Sequence, residues 1–545
     1  MARLLVVDDD PAQLKMRQAL LETAGHEIQT AETVSDALRL LPASQPDILL
    51  MDLRVPELRD GLELIRAAEE HHKATRIVVL SGWPEDLEHL PEKNLVARVV
   101  CKTVRSEALL RLISELALLL CLLLFSAHLR AETFAFSVAK PAEVVAEMEM
   151  SSPGSDWAKP GREAALADIV LDGGGMQNVM LYAGAQRHTY AAFLGTVQPG
   201  AHQLRIERNS KYSARESGLE IGGVRFRQVV PDDPEWTTLA HAPILYARAD
   251  TIGQFTDIPL IAYCERLTDD GRPYLQYTVI FSNEDGGTST RALMARWGRT
   301  TDIEYIYRAW LDTRGGGVER ATIQAKDHKE VEFRGRREGS HPVLIPSTRN
   351  NMVSDRGVSP VRYQLPPVLV DLARHSREEI MDERPFAYRV MSQELAREQK
   401  LRPFGTVDGE KISDPRNYLY IEAKVTNRDS ALAALVRLRG ETVWRSSSLG
   451  RADYAISRDG WFRTTVELPP GTTAQQIGEI GYECIVKPAQ PELHAGVCRL
   501  EAVSKIFLLM MPDYRPGPSL WSLSEPRDIP SGQMIGWPLT NTNKH

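Results

Sequence analysis

Asp8, Asp9 and Asp10 follow the apolar run Leu4-Leu5-Val6-Val7, and Asp52 follows Ile48-Leu49-Leu50-Met51. Ser81 closes a third such run, Ile77-Val78-Val79-Leu80, and Lys102 comes just after a fourth, Ala97-Arg98-Val99-Val100. Carboxylates gathered at one rim repel one another unless a cation lies among them, and a hard, oxygen-seeking ion such as Mg²⁺ suits that place. A lysine and a hydroxyl on the same rim can bind the oxygens of a phosphoryl group carried by one carboxylate. The chemistry is then in-line phosphoryl transfer, with metal and lysine neutralising the charge that develops.

The elements that must bring these groups together are legible in the pattern. Four apolar runs, with His26 to Thr30 between the first and second, read as buried parallel strands. Helical patterns alternate with them: Pro11 to Ala24, with Asp10 as N-cap and Pro11 at its first position, then Thr33 to Leu41, Gly61 to Glu70, and Ser106 onward. Strands alternating with helices predict an α/β doubly wound domain whose ligand site lies at the carboxyl ends of the strands. The acids, the serine and the lysine all fall there.

The segments VVDDD (Val6 to Asp10), LLMDLRVP (Leu49 to Pro56), VVLSG (Val78 to Gly82) and VVCKT (Val99 to Thr103) occur in that order. Together they resemble the signatures of the CheY-like receiver domain of two-component response regulators, over residues 3–118. The resemblance implies a flavodoxin-like fold and a phosphorelay in which Asp52 accepts a phosphoryl group from a sensor histidine kinase or phosphotransfer protein. It implies that Asp8, Asp9 and Asp52 hold Mg²⁺ with the backbone carbonyl of Arg54, and that Ser81 and Lys102 contact the phosphoryl group. It also implies a cytoplasmic, bacterial phosphoprotein. Three positions depart from the pattern. Thr103 stands where the family has proline, Val99 where it often has an aromatic residue, and Gly61 lies nine residues after Asp52 where eight is usual.

The chain has 545 residues, too many for one hydrophobic core. Its net charge is −8, and residues 1–115 hold 14 Lys and Arg against 20 Asp and Glu, so most of the acidity sits at the front. The near-neutral remainder lacks the clustered basic surface of a nucleic-acid-binding output, and no helix-turn-helix pattern occurs there. Residues Leu116 to Phe125, LALLLCLLLF, form the strongest composition shift. Within 108–131 that run reads as a signal-like or membrane-anchoring segment preceded by Lys102, Arg105 and Arg111, or as a buried helix. As a signal or anchor it would place residues after 131 on a membrane or outside the cytoplasm.

Beyond residue 132 the pattern is mainly β. Short alternating runs predict a β-sandwich module at 133–230 and another at 415–510, flanking a mixed α+β module at 236–400, with an irregular tail at 513–545. Ala292 to Trp297 is expected as a strand and Val368 to Met381 as a helix. The two sandwiches faintly resemble galactose-binding-like domains, and eight of the nine tryptophans lie in this part.

Motifs with chemistry are sparse here. Asp302 and Glu304 share a strand face, as paired acids for metal binding or acid/base work, or as a plain polar face. Asn283 to Gly287 reads as a calcium-like loop or a hairpin turn, and Asp371 with His375 as half a metal site or a polar helix face. Cys484 and Cys498 are spaced for a cross-strand disulfide or are two free thiols. The leading function is a receiver in a phosphorelay. The alternative is an exported carbohydrate-binding or carbohydrate-active protein whose receiver is a fusion or vestige.

Overall fold

The apolar runs of the N-terminal part pair as one parallel sheet. In chain order the elements are β1 (Arg3–Val7), α1 (Pro11–Thr23), β2 (Glu27–Ala31), α2 (Val34–Ser44), β3 (Ile48–Asp52), α3 (Leu58–His71), β4 (Arg76–Ser81), β5 (Arg98–Cys101) and α4 (residues 106–116). The strand order is β2-β1-β3-β4-β5, every neighbour pair parallel. The computed structural model describes residues 2–44, 46–71, 75–116, 131–284, 286–312, 317–486 and 496–539. It divides the chain into two units, Met1–Arg130 and Ala131–His545. Residues 117–130, which hold most of the apolar run, lie outside the described residues. Among the described residues no helix is long and apolar enough to cross a membrane.

Alternation along each strand splits the first unit's core into two layers. Leu5, Val7, Leu49 and Met51 pack with Ala37 and Leu41 of α2 and Leu64 and Ile65 of α3. Leu4, Val6, Ile48, Leu50 and Val78 pack on the other face with Leu14 and Leu21 of α1 and Leu109 and Ile113 of α4. Asp10 caps α1 by accepting from the amides of Ala12 (2.8 Å) and Gln13 (3.3 Å), with Pro11 at the first position. The β4–β5 crossover is two 3₁₀ turns, Pro84–Leu87 and Pro91–Leu95. A second proline seven residues after the first cannot sit inside a helix without removing a backbone donor, so each turn starts anew.

The second unit is mostly β, as several sheets. Strands at 132–138, 200–208, 166–171 and 176–180 form one antiparallel sheet, and strands at 188–197, 142–151 and 220–229 form another. Met148, Met150, Ile169, Leu204 and Ile206 lie in a common core. A six-stranded sheet runs in the order 329–332, 318–325, 302–311, 272–281, 259–269, 368–370. Two further sheets between 418 and 538 share a core of Leu419, Ile421, Leu432, Val436, Ile480 and Ile506.

Three expectations are corrected here. Thr290–Trp297 is a helix rather than a strand, because Ser289 caps it through the Ala292 amide (3.2 Å) and Gly298 ends it in the left-handed region at φ 64°. Val368–Val370 is a strand paired with Tyr263 to Glu265, and the helices that follow are Glu379–Glu383 and Phe386–Arg397. The segment 513–545, expected as an irregular tail, contributes strands Arg527–Pro530 and Met534–Pro538. Buried Ile529 and half-buried Trp537 tie those strands to the sheets.

Candidate functional site

Because β1 and β3 are neighbours while the chain passes from one to the other through β2, a crevice opens at their carboxyl ends. Asp8 follows β1, Asp52 ends β3, Ser81 ends β4 and Lys102 follows β5, so four separate segments deliver their polar groups to one rim. Oxygens of Asp8, Asp9 and Asp52 all lie within 4.8 Å of one another. Asp8 and Asp52 are buried and Asp9 is exposed.

Lys102 binds this cluster together. Its Nζ donates to Asp52 Oδ2 at 2.7 Å and lies 3.1 Å from Asp8 Oδ2. Its own amide donates to the Ser81 carbonyl at 2.9 Å, which fixes the loop after β5 to the end of β4. Burial works against the charged lysine, but the two carboxylates outweigh it and raise its pKa. For Asp8, burial pushes the carboxyl pKa up. The Asp10 amide (3.0 Å), Arg17 and Lys102 together pull it below the usual value, so Asp8 is held as a carboxylate.

Arg17 is the member of the site that the sequence pattern does not disclose. Its Nη1 donates to Asp8 Oδ2, Nη2 donates to Gln13 Oε1 at 3.2 Å, and the whole side chain is buried. In sequence it is one more polar residue of an amphipathic helix. Only the docking of α1 beside β1 turns it inward. Ser81 is also buried, and its Oγ accepts from the Trp83 amide at 3.0 Å. The Arg54 guanidinium donates to Asp86 Oδ2 from Nε (3.0 Å) and Nη2 (2.6 Å) and lies 4.8 Å from the Trp83 ring.

The donor set is all oxygen and anionic, with carboxylates on three residues, and it fits a hard divalent cation. Lys102 and Arg17 converge on Asp8 Oδ2, and Lys102 also engages Asp52 Oδ2. Gly61 explains the close packing beneath the site. A Cβ there would lie 2.0 Å from the carbonyl oxygen of Leu53, the residue after Asp52.

In the second unit, Cys484 and Cys498 are joined by a disulfide. Asp302 and Glu304 lie on the strand 302–311, and both line a cavity of about 370 Å³. Asp371 and His375 do not share a helix. His375 Nδ1 meets Glu422 Oε1 at 3.1 Å instead, inside an ion-pair network with Arg463 and Asp382. Burial opposes ionisation of Glu422, yet Arg463, Ser504 and Ser376 lower its pKa to about 2. Its oxygens accept from Ser376, Ser504 and Arg463, and ligand atoms of His375, Glu379 and Glu422 lie within 4.8 Å of one another. In the calcium-like segment Asn283 to Gly287, Asp285 lies outside the described residues.

Residues 4–114 match the response regulator receiver domain. Protein PilH of Pseudomonas aeruginosa is 31% identical over 117 residues, which are 21% of this chain and 96% of PilH. The transcriptional regulatory protein GlrR of Escherichia coli is 34% identical over 81 residues, 15% of this chain and 18% of GlrR. Among solved structures, the response regulator TrrA of Thermotoga maritima, in complex with Mg²⁺-BeF, is 27% identical. It covers 21% of this chain and 99% of its own, with a TM-score of 0.20. Through residues 4–114, the chain belongs to the response regulator receiver family.

Proposed function

We propose that the first unit accepts a phosphoryl group on Asp52 from a phosphohistidine of a sensor histidine kinase or phosphotransfer partner. The observation that carries this reading is Lys102 Nζ placed 2.7 Å from Asp52 Oδ2 and 3.1 Å from Asp8 Oδ2 at one rim. An Asp52 oxygen attacks phosphorus in line, and the P–N bond breaks with its electron pair going to the imidazole nitrogen. Lys102 stays protonated and moves from the carboxylate to a phosphoryl oxygen, while the Ser81 hydroxyl donates to another. Arg17 holds Asp8 in place throughout. A Mg²⁺ ion held by Asp8, Asp9, Asp52 and the Arg54 carbonyl would neutralise the phosphoryl oxygens.

Incubation of the full-length protein with acetyl phosphate and Mg²⁺ tests this directly. A phosphorylated species is expected that disappears in Asp52→Ala and on chelation of the metal. Labelling that persists in Asp52→Ala, or no labelling of the parent, would overturn the assignment.

A second reading concerns compartment, and the Cys484–Cys498 disulfide favours it. Disulfides persist mainly in oxidising surroundings. We propose that residues after 131 work outside the cytoplasm while the receiver faces its kinase inside, the apolar run between them serving as the signal-like or anchoring segment.

A further inference from the structure

A polar cavity of about 370 Å³ lies in the second unit, within the range of about 300–1,000 Å³ typical of small-molecule sites. Glu284, Asp302, Glu304, Gln324, Trp297 and Tyr305 contribute to its wall. Asp302 and Glu304 are two residues apart on the strand 302–311 and so face the same way. Glu284 comes from the loop after the neighbouring strand 272–281, and Gln324 from the strand 318–325 on the other side.

Two features set this cluster apart from a solvated acidic patch. Asp302 is 2% exposed and Gln324 is 3% exposed, so the polar groups are enclosed rather than displayed. Gln324 Nε2 donates to Glu304 Oε2 at 2.7 Å and lies 2.9 Å from His328 Nδ1, but its Oε1 has no hydrogen-bond partner among the described residues. A buried amide oxygen on a cavity wall without a protein donor can accept from a ligand hydroxyl or amide. Asn351 Nδ2 donates to Asp302 Oδ2 at 3.0 Å, which holds that carboxyl in a single orientation.

The acids also differ in their protonation. Burial, then the nearby charges of Glu304 and Glu284, push the Asp302 carboxyl far above the ordinary range, against the pull of Arg299 and Asn351. Glu304 is raised by burial and pulled back by Arg377, His328, Gln324 and Arg299. Glu284 is raised by burial against Arg299, Thr288, His328 and Arg296. Carboxyls crowded in one enclosure cannot all ionise, and the most buried of them keeps its proton. Among the described residues the oxygens of these three do not all lie within 4.8 Å of one another, so the arrangement suits a molecule lying between them better than a single metal ion. Acceptors from the acids and Gln324 beside donors such as Arg377 fit a polyhydroxylated ligand, whose hydroxyls both donate and accept.

We propose that this cavity is a second active site, distinct in chemistry from the receiver, in which Asp302 and Glu304 hydrolyse a glycosidic bond of a saccharide. The Asp302 carboxyl proton passes to the glycosidic oxygen as the bond from that oxygen to the anomeric carbon breaks, the electron pair staying on oxygen. A water oxygen bonds to the anomeric carbon and gives its proton to the Glu304 carboxylate. Exchange with solvent returns the proton to Asp302 and removes it from Glu304, so one water is consumed and both residues are restored.

The test uses the full-length protein, incubated separately with xylan, arabinan, galactan, pectin and alginate, with release of reducing ends as the readout. Release is expected from at least one of them, and Asp302→Asn and Glu304→Gln should each lower it by about 100-fold or more. Circular dichroism melts accompany each variant. Should Asp302→Asn melt early, the half-buried Glu304→Gln with a parental melt decides the matter. The proposal is overturned if the parent releases reducing ends from none of the five. It is also overturned if a folded Glu304→Gln keeps parental activity, or if the products carry the ultraviolet absorbance of an unsaturated uronate, which marks elimination rather than hydrolysis.

Discussion

Asp8 is a fully buried carboxylate with two cationic partners, Arg17 and Lys102, and its neighbours keep it charged. Removing one member of a buried pair leaves part of a charge uncompensated, at a cost of about 3–5 kcal/mol. Arg17→Met should destabilise the first unit toward the lower end of that range, since Lys102 remains 3.1 Å from Asp8. Hydrogen–deuterium exchange of peptides from residues 3–116 measures the loss. Added Mg²⁺ should protect Arg17→Met more than the parent, because the acidic rim has lost a positive charge. Equal protection of the two would show that Arg17 does not influence the cation site. The signs of the two shifts also fix a pH window. A depressed Asp8 contributes stability above its unfolded value of about 4 and loses it as pH falls through the lower folded value. A raised Lys102 contributes below its unfolded value of about 10.4 and loses it as pH rises through the higher folded one. Exchange protection of the first unit should therefore hold between these limits and decline at both ends.

At the scale of elements, α3 must pass so close to the end of β3 that only glycine fits at 61. Gly61→Ala sets a Cβ 2.0 Å from the Leu53 carbonyl oxygen, an overlap only backbone movement relieves. Overpacking of this kind costs about 1–3 kcal/mol. The movement lands on the residue after Asp52, so phosphorylation by acetyl phosphate should slow as stability falls. Gly82→Ala, whose Cβ would meet nothing within 4 Å, should leave the denaturation midpoint unchanged and serves as the control for stability. Legibility also varied by element. Strands β1, β3 and β4 of the first unit are continuous apolar runs and could be read directly. Thr290–Trp297 could not, because its apolar residues fit either period. Its helical state rests on Ser289 as cap and Gly298 at positive φ, two single-residue signals at the boundaries.

For the whole molecule, one chain joins a receiver to a disulfide-bearing β-rich unit. If residues after 131 are exported with the apolar run as an anchor, protease added to spheroplasts should digest the second unit and spare the first. If the run is instead a cleaved signal, the mature chain should begin near Glu132 by N-terminal sequencing. An intact 61.0 kDa chain bearing Met1, resistant throughout in spheroplasts, would exclude both. Mobility on non-reducing gels should also change on reduction only while Cys484 and Cys498 are both present, and Cys498→Ser checks this.

The residue pattern alone discloses the receiver family, its doubly wound class and the polar groups that gather at its rim. Each of Asp8, Asp52, Ser81 and Lys102 sits at or just past a strand end, and a parallel sheet brings such ends to one rim whatever the details of packing. Tertiary structure alone decided what depends on burial and on neighbours far along the chain. Arg17 became part of the site only because α1 docks on β1. Asp302 and Glu304, two polar residues on a strand, became enclosed acids only because Gln324, Asn351 and Glu284 close around them. A residue's type and spacing fix which groups can be neighbours along an element, whereas desolvation and charge coupling arise from the other elements that pack against it.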